Sequence, residues 1–173
     1  MRMAYTVPSD LVAVGNGQLR SVKEFDDKTT YEWFVQNPIN NYNISVQIGN
    51  YVSVQDTLIK NDTTHLMNHY VLDYNKQLAS NYFLQSKEII RFYEKYFGDY
   101  QWYEDGYKLV EVPYLGMEHQ SAVTYGNGFS IYNGVRSKSW PMYGVIDPLI
   151  IHETGHEWFG NSVTASDPTH IWI

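Results

Sequence analysis

Apolar positions along this chain change their period near residue 76. Before that point the runs are short and stop at turn residues. Leu11–Val14 is a brief apolar run halted by Gly15-Asn16-Gly17, and Gln18–Glu24 reads as its returning strand. Tyr31, Trp33 and Val35 alternate with Glu32 and Gln36 until Asn37-Pro38 breaks the pattern. Ile44, Val46 and Ile48 alternate with Ser45 and Gln47, and another strand is expected over Tyr51–Thr57. The polar stretch Lys60–Thr64 reads as a connector, after which Tyr70, Leu72 and Tyr74 end a further strand. From about Lys76, Leu78, Tyr82, Ile89, Phe92, Tyr93 and Tyr96 recur at helical spacing. Gly98 stands where a C-terminal cap belongs, so one helix of about twenty residues is predicted. Strands follow over Lys108–Val112 and Met117–Tyr125, with a short one at 129–135.

A second helix is predicted from Pro148 to Phe159. Asp147 is a good N-cap, Pro148 suits the first helical position, and Gly160-Asn161 are natural helix-ending residues. Inside it lies His152-Glu153-Thr154-Gly155-His156, an H-E-x-x-H motif. Histidines four apart fall on one helix face and can reach one metal ion, which makes His152 and His156 candidate ligands. Glu153 is close enough to take a proton from a water at that metal. A buried helix with merely hydrogen-bonded histidines is the bland alternative. Three ionisable groups on one face of an apolar helix are costly to desolvate without partners, which favours the metal reading. Gly155 costs about 1 kcal/mol against alanine in a helix, and suggests close approach by another backbone or the substrate. His65 and His69 are also four apart, but in a stretch read as connector or strand, where that spacing does not bring them together.

Composition narrows the partners. The 173 residues suit one moderate domain or two small pieces, and a formal net charge of −7 argues against nucleic acid. The lack of cysteine removes disulfides and thiolate ligands and leaves the compartment open. No run approaches the ~20 apolar residues of a membrane span. The first eight residues contain no signal-peptide core.

Gly116-Met117-Glu118-His119 precedes the metal motif by about thirty residues, and the motif continues as His156-Glu157-Trp158-Phe159-Gly160-Asn161-Ser162-Val163-Thr164. Together these resemble the zinc aminopeptidases of the gluzincin clan, the membrane alanyl aminopeptidase family. That family's motifs read Gly-x-Met-Glu-Asn and His-Glu-x-x-His-x-Trp-Phe-Gly-Asn-x-Val-Thr. The resemblance implies an α+β fold. Residues 1–60 would close an N-terminal β-domain, and residues 61–173 would begin a thermolysin-like catalytic domain whose mixed or antiparallel sheet carries the Glu118 strand at its edge. It implies zinc on His152 and His156, with Glu153 as general base. Glu118 would hold the free α-ammonium of a peptide substrate, while Gly116 and Met117 border the peptide backbone. His119 replaces the usual asparagine, which bears on how the substrate terminus is held. His170 stands where the family often has aspartate. The family's third ligand, a glutamate, would fall two positions beyond Ile173. The 173 residues alone are therefore expected to bind zinc weakly, to lack activity, and to self-associate through uncovered apolar surface. Two other readings remain open. One is another zinc hydrolase on this framework, such as an epoxide hydrolase or an endopeptidase. The other is a non-catalytic peptide-binding domain with a relict site.

Overall fold

The computed structural model describes residues 1–130 and 146–170. Strand β1 (Arg2–Pro8) pairs antiparallel with β4 (Lys28–Phe34), which takes β3 (Gln18–Glu24) on its other edge. The hydrophobic pattern missed β1 because only Val7 is buried in it, so no apolar alternation marks the strand. Strand β2 (Val12–Gly15) does not fold back onto β3 as the Gly-Asn-Gly signal suggested. It pairs instead with β5 (Val46–Gly49). Asn16 explains the difference. Its buried amide donates to the carbonyls of Asn43 (2.9 Å) and Gln120 (2.7 Å) and accepts from the Ser45 N–H (2.8 Å). The segment is thus a junction between distant loops rather than a hairpin turn.

Strands β6 (Tyr51–Lys60) and β7 (Thr63–Leu72) form a long antiparallel hairpin. The expected connector at Lys60–Thr64 is therefore its turn. Asn61 and Asp62 occupy positive φ (47° and 61°), which short polar side chains tolerate and hairpins favour. With β8 (Leu109–Glu111), β9 (Gly116–Met117) and β10 (Val123–Tyr125), the hairpin builds a five-stranded sheet in the order β6-β7-β8-β10-β9. The inner pairs β7–β8 and β8–β10 are parallel and the outer pairs antiparallel, so the sheet is mixed and β9 is an edge. The continuous strand expected over 117–125 is interrupted by a loop at 118–122, where Ser121 adopts φ 59°.

The single helix expected after residue 76 is two: α1 (Lys76–Tyr82) and α2 (Gln85–Phe97). Phe83 breaks the run. It is drawn into the core against Tyr125 and Phe129 (ring centroids 5.3 Å apart in each case), and its carbonyl is taken by the Ser86 N–H and hydroxyl. The buried face of this region carries Ala79, Ser86, Ile89 and Ile90; of the periodic set, Ile89, Tyr82 and Tyr93 meet the core, while Leu78, Phe92 and Tyr96 are exposed. Helix α3 (Pro148–Gly155) packs on α2 and on strands β9 and β10. It ends four residues before the expected Phe159. The next turns are wider, with the N–H groups of Asn161, Ser162 and Val163 bonded to carbonyls five residues back. The expected strand at 129–135 falls mostly outside the described residues. The result is an α+β fold, with Ile89, Ile90, Leu109, Val123, Tyr125, Leu149 and Ile150 in one core between helices and sheet. A second core, centred on Trp33 edge-on to Tyr70 (5.9 Å), joins the N-terminal strands to that sheet.

Candidate metal centre

Asp147 starts α3 by accepting the Leu149 N–H (2.8 Å), with Pro148 at the first helical position, as the sequence predicted. Its other oxygen accepts the hydroxyls of Tyr82 and Tyr125, both at 2.8 Å, which pins the helix start to α1 and β10. One turn later His152 and His156 meet. Their Nε2 atoms are 3.3 Å apart. Nδ1 of His156 lies 2.9 Å from the Phe159 carbonyl oxygen, so that nitrogen carries the proton and Nε2 presents a lone pair. A protonated His152 Nε2 can donate to that lone pair, and the same separation suits two lone pairs that share a cation. A tetrahedral zinc with Zn–N bonds of ~2.0–2.1 Å holds its nitrogens roughly 3.3 Å apart. The donor set thus fits zinc, and the ligating atoms of His152, Glu153 and His156 all lie within 4.8 Å of one another.

Glu153 points from the same helix toward β9. Its Oε2 is buried without a hydrogen-bond partner among the described residues, and burial, followed by the charge of Glu118, pushes its carboxyl up to about 7. Burial and neighbouring His156 lower the basicity of His152, while Glu118 opposes that shift. Tyr42, from the N-terminal segment, is raised by burial and then by Glu118. Glu118 therefore lies near enough to act on the charges of His152 and Glu153 on the helix and of Tyr42 in the N-terminal segment. Gly116 lies against the helix that carries the histidines. A Cβ there would lie 2.9 Å from Glu153 Oε1 and 3.1 Å from Leu149, so the glycine lets α3 approach the sheet edge. Met117 is half-buried, and its carbonyl accepts the Thr124 hydroxyl (3.3 Å). His119 is half-buried with an unpartnered Nδ1, and burial lowers its basicity.

Residues 82–173, just over half the chain, match the model of the peptidase family M1 domain. The chain belongs to peptidase family M1. Its M1 relatives include a probable aminopeptidase 2 of Sulfurisphaera tokodaii, 24% identical over 99% of this chain and 22% of that protein. A glutamyl aminopeptidase of Rattus norvegicus is 26% identical over 96% of the chain and 18% of its own length. The chain thus spans about a fifth of the length of the curated relatives it matches. Among solved structures, the M1 zinc metallopeptidase of Deinococcus radiodurans superposes with a TM-score of 0.73 at 17% identity, covering 96% of this chain and 35% of that one. A mutant of that enzyme was solved with the substrate Tyr-Ser-Ala.

Around the M1 motif, pattern reading missed two buried polar groups, Glu157 and Asn161. Glu157 accepts the Ser121 N–H (2.8 Å), and burial raises its carboxyl to about 7 despite the nearby Lys108 charge. Asn161 donates to the Glu118 carbonyl (3.0 Å). Glu157 had only its polarity as a sequence signal, whereas Asn161 stood at a fixed motif position that does not reveal its partners. Gly155 accommodates Tyr93, a side chain rather than a backbone or substrate; a Cβ there would lie 2.5 Å from its hydroxyl. His65 and His69 occupy separate settings on β7. His65 stacks on Tyr103 (4.0 Å), and Nδ1 of His69 accepts the Leu109 N–H (3.0 Å). His170 is exposed at the end of a 3₁₀ turn and lies outside the ligand cluster.

Proposed function

We propose that this chain supplies the substrate-amine and metal-helix portion of a zinc-dependent aminopeptidase that removes N-terminal residues from peptides. Residues 1–60 would end an N-terminal β-domain and 61–173 would begin the catalytic domain, with the β6–β7 hairpin spanning that boundary. The observation that carries the reading is the clustering of the ligating atoms of His152, Glu153 and His156 within 4.8 Å, with Glu118 near enough to act on the charges of His152 and Glu153. His152 and His156 would hold the metal, with a third ligand supplied from outside these residues. Zinc held by His152 and His156 would supply polarisation of the scissile carbonyl and acidification of the attacking water. Glu153, poised near neutrality by burial, takes the proton of that water and delivers it to the leaving amine. Glu118 pairs with the ammonium of the substrate and so selects chain ends over internal bonds.

The test uses the longer protein that contains this chain. Glu118→Ala should lower kcat/KM on an aminoacyl reporter by about 10²-fold, the ~3 kcal/mol of a charge partner lost from a desolvated site. Glu153→Gln should abolish turnover while zinc content is retained, and the 173 residues alone should show no turnover. An endopeptidase on this framework would keep its activity with Glu118→Ala.

A further inference from the structure

The loop that carries Glu118 is held almost entirely by side chains from elsewhere. It joins β9 to β10, and its Ser121 is fully buried in a left-handed conformation (φ 59°) that a non-glycine residue holds only when its surroundings fix it. On one side stands the continuation of the metal helix. Asn161, 4% exposed, donates to the Glu118 carbonyl (3.0 Å), and Glu157, 1% exposed, accepts the Ser121 N–H (2.8 Å). The two braces also bond to each other, Asn161 Nδ2 to Glu157 Oε2 at 3.2 Å. On the other side stands the N-terminal segment. Asn43 is fully buried and donates to Asn161 Oδ1 (2.6 Å), while Asn16 donates to the Gln120 carbonyl (2.7 Å).

From this bracing we infer that Asn161 is a positioning residue for substrate-amine recognition. Its amide fixes the Glu118 backbone relative to His156 and His152, five and nine residues earlier on the same segment, and Asn43 of the N-terminal segment fixes the amide in turn. The inference rests on the reading of Glu118 as the amine-binding group. Asn161 is built for the task because both ends of its amide are engaged: Nδ2 on Glu118 and Glu157, Oδ1 on Asn43. Removing the donor leaves the Glu118 carbonyl without that anchor and frees the carboxylate to drift from the distance the metal sets. Loss of binding geometry for the amine, with the metal ligands left in place, should appear in KM rather than in kcat.

The experiment compares Asn161→Asp with the parent in the longer protein containing this chain. Aspartate keeps the volume and the acceptor but cannot donate to the Glu118 carbonyl. The expected result is a rise of about tenfold in KM for an aminoacyl reporter, kcat within about twofold, and unchanged zinc content. The Ki of a free amino acid amide should rise in parallel, while that of its N-acetylated form should not. Should Asn161→Asp not fold, Asn43→Ala removes the outer brace and should raise KM in the same direction by a smaller factor. Glu118→Ala is measured alongside. If it leaves KM unchanged, the amine reading falls and the positioning role falls with it. If Glu118→Ala raises KM while the folded Asn161 or Asn43 variant does not, the positioning role alone is overturned.

Discussion

Gly155 shows how a single missing side chain sets the packing behind the histidines. The Tyr93 hydroxyl reaches past it to donate to the Ile151 carbonyl (3.1 Å), and the Tyr93 ring stacks on Trp158 (centroids 5.1 Å apart). A methyl group at 155 would lie 2.5 Å from that hydroxyl. Gly155→Ala should therefore destabilise the protein by about 1–3 kcal/mol despite alanine's better helix propensity. Tyr93→Phe in the same protein should recover part of the loss, read as a positive coupling in a double-mutant cycle by urea denaturation. Additive effects would contradict the contact. His69 gives a second residue-scale expectation. Burial, opposed by Asp56, depresses its basicity from 6.5 to about 4. Between those values the unfolded chain binds a proton that the folded chain does not. Stability from this group is therefore full above pH 6.5 and falls as pH drops to about 4, by about 3 kcal/mol. His69→Gln, which can still accept the Leu109 N–H, should flatten the midpoint of thermal unfolding over that range. An unchanged slope would count against it.

Among the elements, α3 was the most legible and also the one whose anchoring was least visible. Its start was readable because Asp147-Pro148 is a local capping signal. That Tyr82 and Tyr125 also converge on Asp147 depends on contacts across 65 and 22 residues, which no local pattern carries. Asp147→Ala should cost about 3 kcal/mol or more: the cap itself plus two buried hydroxyls left without an acceptor. Asp147→Asn should recover a substantial part, since asparagine caps as well, and chemical denaturation of both variants would show it. The α1–α2 break escaped prediction for a related reason. The apolar period runs on through Phe83, and only its burial against Tyr125 and Phe129 diverts the chain. His152, His156 and Glu118 could be picked out as candidates from spacing and motif. Glu157 and Asn161 could not be assigned, because a buried polar residue is recognised by its partners, and these lie up to 118 residues away.

Across the whole molecule, the N-terminal strands and the five-stranded sheet meet through polar clamps as well as through the Trp33 core. Asp105 accepts the N–H groups of Gln36 (2.6 Å) and Asn37 (3.1 Å), and Gln120 donates to the Pro38 carbonyl (2.9 Å). Lys108 lies between the two parts, 4% exposed, donating to the carbonyls of Gly17 (2.6 Å) and Ser121 (2.8 Å), with its ammonium over the Trp33 ring. Burial brings its pKa down to about 7. This lysine makes the two parts poor candidates for modular exchange. A chimaera that took its first fifty residues from a relative would have to import a carbonyl and an aromatic face in matching places. Otherwise it would strand an ammonium in a dry seam beside the loop that carries Glu118.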